Sequence, residues 1–391
     1  MHSHDGHTSC LSRLHPNDIL FRFNIGKRMK DITQRFHDIH EEKSTFNLEH
    51  GITEVQTVDD FWRQTSSDIT EPVVYGRNQD REKIVKFLLE DASNSEELSI
   101  FPIVGIGGLG KTTLAKQVFN DHRVCKHFDL TIWVCVSDDF NTKTILQSII
   151  ECITGQNPNL NSLEAMRKKV EEVLHGMRYL LVLDDVWNEY QEKWKQLKGK
   201  LQCARAAKGA TILVTTRLEE VASTMQTHPT YHLKKLSGDE SWSLFKYHAF
   251  GPNREETEEL VAIGKEIVRN CIGLPLAIKT LGSLLRDQSE VRQWINVKEG
   301  SSMTNEENSI MRALKLSYSN LELSLRRCFS FCAIFPKDFA IDKEELIHLW
   351  MANGFIESER NIEVEDVGNK VWNKLYRRYF FRKQSVMSMV W

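Results

Sequence analysis

Between residues 98 and 236, apolar and polar positions alternate in blocks. Apolar runs stand at "LSIFPIVGI" (98–106), "LTIWVCVS" (130–137), "RYLLVLDD" (178–185), "ATILVTTR" (210–217) and "TYHLKKL" (230–236). Segments with helical periodicity fall between them, at "KTTLAKQVFN" (111–120), "TILQSIIECI" (144–153) and "LEAMRKKVEEVLHGM" (163–177). Short apolar strands alternating with helices predict an α/β fold, a parallel sheet covered on both faces. After about 237 the strand runs stop, and helical patterns continue to 290. A further helix-rich stretch is broken at Pro336, Gly354 and Gly368. Boundaries are therefore expected near 237 and 300.

Both ends of the chain carry amphipathic patterns. Ile25, Met29, Ile32, Phe36 and Ile39 recur at spacings of four and three, one apolar stripe on a helix. Two heptads fit a coiled coil and a helix packed on a neighbour equally well. Residues 51–70 are polar and read as a linker. From Val371 to Lys383 one helix is expected, with Trp372, Leu375, Tyr376, Phe380 and Phe381 interleaved with Lys374, Arg377, Arg378, Arg382 and Lys383. This pattern favours a solvated basic face over a nucleic-acid contact.

Charge narrows the function classes. With 51 basic and 54 acidic residues the formal net charge is −3, which gives no global case for nucleic acid or an anionic membrane. No apolar run reaches the ~18 residues of a membrane span. The leading "MHSHDGHTSC" has no apolar segment behind it, so no signal peptide is expected, and His2, His4 and His7 read as a polar tail rather than a metal site. The eight cysteines form no C-x-x-C pair, and several lie in apolar surroundings. Free buried thiols, a reducing compartment and a cytoplasmic location are the expectation.

The chemistry concentrates in "IVGIGGLGKTT" (103–113). Gly105, Gly107 and Gly110 fit a dinucleotide fingerprint, while Gly105, Gly110, Lys111 and Thr112 fit a P-loop. The P-loop makes further demands. It must follow a buried strand and open a helix, as "SIFPIV" and "TTLAKQVF" provide. Its glycines turn backbone N–H groups onto phosphate at the positive end of a helix dipole. Lys111 supplies a cation for the outer phosphates, and Thr112 a hydroxyl for Mg²⁺. A carboxylate is needed at the end of another strand, and "YLLVLDD" delivers Asp184 for the metal shell and Asp185 to orient a water. The next strand ends in Arg217, placed to sense a terminal phosphate; a surface arginine is the alternative. A dinucleotide site leaves Lys111, Thr112 and the acid pair unexplained.

"GIGGLGKTT" (105–113), "YLLVLDDVW" (179–187), "GATILVTTR" (209–217), "GLPLA" (273–277) and "CFSFCAIFPKDF" (328–339) occur together in this order. The set resembles the NB-ARC module of plant nucleotide-binding leucine-rich-repeat disease resistance proteins, from about 71 to 383. Trp187 and the "CFSFCAIFPKDF" segment resemble the coiled-coil subclass, and residues 25–48 resemble the tail of its N-terminal domain. The resemblance implies a coiled-coil remnant and linker (1–70), a P-loop nucleotide-binding domain (71–236), a helical bundle (237–299) and a winged-helix domain (300–391). It also implies an ADP/ATP switch with Mg²⁺ and at most slow ATP hydrolysis. Residue by residue, Gly105, Gly107, Gly108, Gly110, Lys111, Thr112 and Thr113 would hold phosphates, with Thr112 and Asp184 at the metal. Asp185 would aid hydrolysis, and Arg217 would sense the γ-phosphate. Val74, Tyr75 and Gly76 of "VVYGR" would line the adenine side, and Pro275 would reach the nucleotide from the bundle. From the residues alone, Pro275 reads equally well as a helix start. The family's Met-His-Asp motif and leucine-rich repeats are not found here, so a truncated form is expected, self-associating or associating with full-length receptors. A metabolic ATPase or kinase is the alternative.

Overall fold

The computed structural model describes residues 66–69, 73–136, 140–160, 162–187, 190–251, 256–286, 288–302, 309–335, 341–358 and 362–381. These belong to one compact unit spanning 59–391. The apolar stripe at 25–39, His2, His4 and His7, and the residues from Arg382 on lie outside them.

The α/β part begins with α1 (Asn78–Lys86), which runs into a π-helical turn (Phe87–Asp91), and β1 (Ser99–Val104). Then come α2 (Lys111–Phe119), α3 (His122–His127), β2 (Leu130–Cys135), α4 (Thr142–Thr154), α5 (Leu163–Leu174) and β3 (Tyr179–Val186). It ends with α6 (Gln191–Cys203), β4 (Thr211–Thr216), α7 (Glu219–Met225) and β5 (Tyr231–His232). The strands form one parallel sheet in the order β2-β3-β4-β1-β5. Strands β1 and β4 are buried along their whole length, as expected of strands covered on both faces.

Pro102 stands inside β1, where a ladder N–H is normally required. The Ile100 N–H points to Thr227 Oγ1 (2.7 Å), and by alternation the Pro102 nitrogen faces the same side. On that side β5 pairs only with Ile103 and Val104, so the missing donor leaves no gap in the ladder.

The expected run 230–236 contributes only two paired residues; the Leu233 N–H still donates to the Val104 carbonyl (2.9 Å), and Leu233 and Leu236 then pack in the core. The helix expected over 163–177 stops at Leu174, with Gly176 at φ +68° turning the chain into β3.

Helices α8 (Gly238–Ala249), α9 (Glu258–Asn270), α10 (Pro275–Arg286), α11 (Val291–Gly300) and α12 (Ser309–Ser319) follow. A capping box sets the start of α8: Ser237 accepts from the Glu240 N–H, and Glu240 accepts from the Ser237 N–H. Their apolar residues, such as Phe245, Ile267, Leu281 and Trp294, join one face of the sheet in a single core. The other sheet face has its own core under α4, α5 and α6.

A third core lies under α13 (Leu323–Phe331), a 3₁₀ turn (Cys332–Ile334), α14 (Lys343–Ala352) and α15 (Val364–Arg377). Here the sequence expectation is corrected: α15 ends at Arg377 rather than continuing to Lys383. Tyr379 takes φ +62°, and the Phe380 N–H closes back on the Leu375 carbonyl (3.2 Å). Adjacent phenylalanines on a continuing helix point about 100° apart. The turn instead buries both, Phe380 against Phe329 and Phe381 stacked on Trp372. Trp372 and Leu375 are buried as the amphipathic pattern requires, while Lys374 lies outward against Glu322 (3.3 Å).

Candidate nucleotide-binding site

The glycine loop joins β1 to α2 at the carboxyl edge of the sheet. β1 lies between β4 and β5, where the strand order reverses direction, the place where open α/β sheets bind ligands. Gly108 (φ +68°) and Gly110 (φ +96°) occupy the left-handed region, which lets successive N–H groups turn inward. At Gly108 space forbids a side chain as well, since a Cβ would stand 2.8 Å from Leu276 Cβ and from Ile310 Cδ1. The Leu276 N–H donates to the Gly108 carbonyl (3.2 Å), so the first turn of α10 rests on the loop.

Lys111 is 6% exposed and arches back over the loop, donating to the carbonyls of Gly105 (2.6 Å) and Ile106 (3.1 Å). Burial, and then the nearby Arg217 cation, lower its pKa to about 8, while Asp185 and Asp184 act in the opposite sense. An anion brought to the loop meets an ammonium already desolvated and aimed.

The acid pair at the end of β3 is split by a bulge. Leu183 pairs with Val214 and Val186 with Thr216, so Asp184 and Asp185 together face Thr215. Asp184 is fully buried; its Oδ1 accepts from Thr112 Oγ1 (3.0 Å) and from Thr215 Oγ1. Asp185 takes φ +57°, donates its N–H to Thr215 Oγ1 (2.9 Å) and turns its carboxylate to Arg217 (3.8 Å). The Arg217 guanidinium lies over the Trp187 ring at 4.5 Å and beside Gly107, where a Cβ would come 3.1 Å from Nη1.

Two residues that sequence reasoning passed over hold this arrangement. Thr215 binds both acids, and nothing in "VTTR" sets it apart from Thr216. Arg77 ends "VVYGR" and is 3% exposed. It donates to the carbonyls of Leu109 (2.7 Å) and Lys234 (2.8 Å) and pairs with Asp80 (3.2 Å), tying the loop apex to the sheet edge. Only its burial, invisible in sequence, distinguishes it from a surface arginine.

A cavity of about 470 Å³ surrounds the loop. Of the sequence-predicted residues, Val74, Tyr75, Gly107, Gly108, Gly110, Lys111, Thr112, Thr113, Asp184, Asp185, Arg217 and Pro275 line it. Gly105 and Gly76 stand behind the wall: a Cβ on Gly105 would strike Leu109 (2.7 Å), and one on Gly76 would strike Glu240 and Leu236 (2.7 Å each). Pro275 is the first residue of α10 and also lines the cavity. Arg217 lines the cavity with its side chain 41% exposed. His248, Ser283, Tyr376 and Tyr379 complete the far wall. The Tyr379 hydroxyl lies 3.2 Å from His248 Nδ1, and the Ser283 hydroxyl donates to the Arg377 carbonyl. Burial, then Lys279 and Arg286, push His248 down to about 3, so its ring is neutral at physiological pH.

The residues fit a nucleotide and a divalent cation. The loop offers N–H donors and a cation for phosphate, and Thr112 and Asp184 converge as oxygen ligands of the hard-cation type.

The parallel sheet, the loop and the acid pair define the P-loop NTPase fold. An archaeal signal-transduction ATPase with a tetratricopeptide-repeat sensor, from Pyrococcus horikoshii, shares the fold with a TM-score of 0.50 at 18% identity, over 83% of this chain and 42% of that one. The NB-ARC domain model matches residues 77–255, and the disease resistance protein winged helix domain model matches 334–390. RGA4 and RGA2, disease resistance proteins of Solanum bulbocastanum, are 51% and 48% identical to the chain, over 96% of it and 38% of each relative. RPP8 of Arabidopsis thaliana is 34% identical over 91% of the chain and 41% of its own length. The chain belongs to the NB-ARC family of plant disease resistance proteins, and spans well under half the length of these relatives.

Proposed function

We propose that the chain is the ADP/ATP-dependent switch of a plant intracellular immune receptor. The observation that carries this reading is the shared cavity. Its walls come from the glycine loop, from Pro275 and Leu276 of α10, and from Tyr376 and Tyr379 beyond them. A ligand touching all three parts biases how they pack, and a ligand with different contacts in two packings shifts their populations.

In this reading Lys111 and the loop N–H groups hold the phosphates, Val74 and Tyr75 flank the base, and Arg217 reports the terminal phosphate. Thr112 and Asp184 would hold Mg²⁺, which would offset phosphate charge. Asp185 faces the cavity from a strained backbone and would orient water for slow hydrolysis. The partners expected are a second copy of the chain or full-length relatives, in the cytoplasm. Among the described residues no helix is long and apolar enough to cross a membrane.

The test is the nucleotide carried through purification. Denaturing the protein and chromatographing the supernatant should release ADP near one equivalent. Release of NAD, or of nothing from folded protein, overturns the reading. Rapid multiple turnover of ATP would instead favour a metabolic ATPase.

A further inference from the structure

The cavity has two chemically different ends. Lys111, Asp184, Asp185 and Arg217 make the loop end polar. Along α2, Lys116 donates to the Asp68 carbonyl (3.2 Å) and Asn120 to the Ser67 carbonyl (2.7 Å). These bonds lay the segment that ends at Ile69 beside α2. Ile69, Val73, Val74, Tyr75, Leu244 and Tyr247 give the same cavity an apolar and aromatic lining, in which Tyr75 and Tyr247 touch.

We propose that Tyr247, on α8, is the base-stacking residue of this site and that its ligand carries a flat heteroaromatic base. The inference rests on the nucleotide reading above and extends it to a residue outside the α/β part. Tyr247 keeps 37% of its surface exposed although it lines a cavity. Its ring centroid is 5.9 Å from that of Tyr75, at 48°. Rings in that contact leave no room for a base between them, so a base lies against the cavity side of Tyr247, with the tilted Tyr75 ring beside it. The platform is fixed before binding. Its backbone is held where the Tyr247 carbonyl accepts from Arg286 Nη2 (3.2 Å), and its ring is held by the rings of His248, edge-on at 5.1 Å, and Tyr75. A ring already held loses little freedom when a ligand stacks on it.

Pyrophosphate separates stacking from general structural support, because it carries the phosphates without the base. ADP and pyrophosphate are titrated by calorimetry into the full chain, Tyr247→Ala, Tyr247→Leu and Tyr247→Phe. A base stacked on an aromatic ring predicts that the alanine and leucine variants lose about 5- to 100-fold in ADP affinity. Their pyrophosphate affinity should match wild type, and Tyr247→Phe should retain ADP binding within about threefold. The leucine variant keeps the bulk at the α8 surface, so a folding defect in the alanine variant does not decide the matter. Unchanged ADP affinity in Tyr247→Leu overturns the proposal. So does an equal loss of ADP and pyrophosphate, which would assign Tyr247 to structure alone. A wild-type chain that binds neither ligand overturns the nucleotide reading itself, a result distinct from both.

Discussion

Replacing Thr215 by valine exchanges one hydroxyl for a methyl group at a fully buried position. That hydroxyl donates to the Asp184 carboxylate and accepts from the Asp185 N–H. A hydrogen bond to a charged group is worth about 1.5–3 kcal/mol, and an orphaned donor adds ~1 kcal/mol or more. The expected cost is therefore about 2–4 kcal/mol, a large part of the ~5–15 kcal/mol that holds a domain together. Thr211→Val is the control: it is equally buried on the same strand but gives up only a neutral bond to the Gly209 carbonyl, worth ~1 kcal/mol. Denaturant unfolding of both variants gives the comparison. Mg²⁺ titration in the presence of ADP adds a second readout, because Asp184 loses the partner that, with Thr112, fixes its Oδ1. Thr215→Val should show weakened Mg²⁺ dependence, and Thr215→Ser should restore both properties. If Thr215→Val costs no more than Thr211→Val and binds Mg²⁺–ADP as wild type does, the acid pair does not depend on this hydroxyl.

The remaining predictions concern the loop and the acid pair. Lys111→Ala should weaken ADP binding about 10- to 100-fold in equilibrium titration, the loss expected for one charge-assisted bond. In the folded chain Lys111 sheds its proton near pH 8, and in the unfolded chain near 10.5; the unfolded state binds more protons between these values. Wild-type stability should therefore gain a contribution as pH rises from 8 to 10.5 while ADP affinity falls, and both trends should flatten in Lys111→Met, as unfolding and titration series at matched pH would show. Asp185→Ala should slow phosphate release and leave ADP affinity within about twofold, since the alanine variant keeps the backbone N–H bond to Thr215 and removes only a half-buried carboxylate that faces Arg217. Gly108→Ala forces an L-residue to φ +68° against Leu276 and Ile310, at ~1–2 kcal/mol for the backbone alone. Thermal unfolding and ADP titration should both register it, whereas Gly155→Ala, at the same φ with open space around it, should change stability alone.

The strands around the site were legible because parallel strands buried on both faces leave continuous apolar runs, as in "YLLVLDD" and "ATILVTTR". The loop was legible because few sequences combine its glycines with Lys111 and Thr112. The different surroundings of Asp184 and Asp185 were not. Tandem acids look alike until a bulge turns one inward to Thr112 and the other out toward Arg217. Arg77 and Thr215 escaped for a related reason: each acts through burial and partners distant in sequence. The end of α15 was misread because "RRYFFRK" continues a helical pattern, whereas the third core takes up Phe380 and Phe381 through a turn at Tyr379.

The rest of α10 and α12 on Gly108 has a consequence for synthesis. The loop is translated early, but Leu276, which donates to it, and Ile310, which packs on it, come about 170 and 200 residues later. At roughly 5–20 residues per second the ribosome needs on the order of 10–40 s to supply them. During that interval the nascent α/β part can fold around its sheet while the loop lacks its backing from α10 and α12. On the proposed nucleotide reading, tight capture is thus expected late in the life of each molecule, and any fragment ending before residue 310 should hold its nucleotide less firmly than the longer chain.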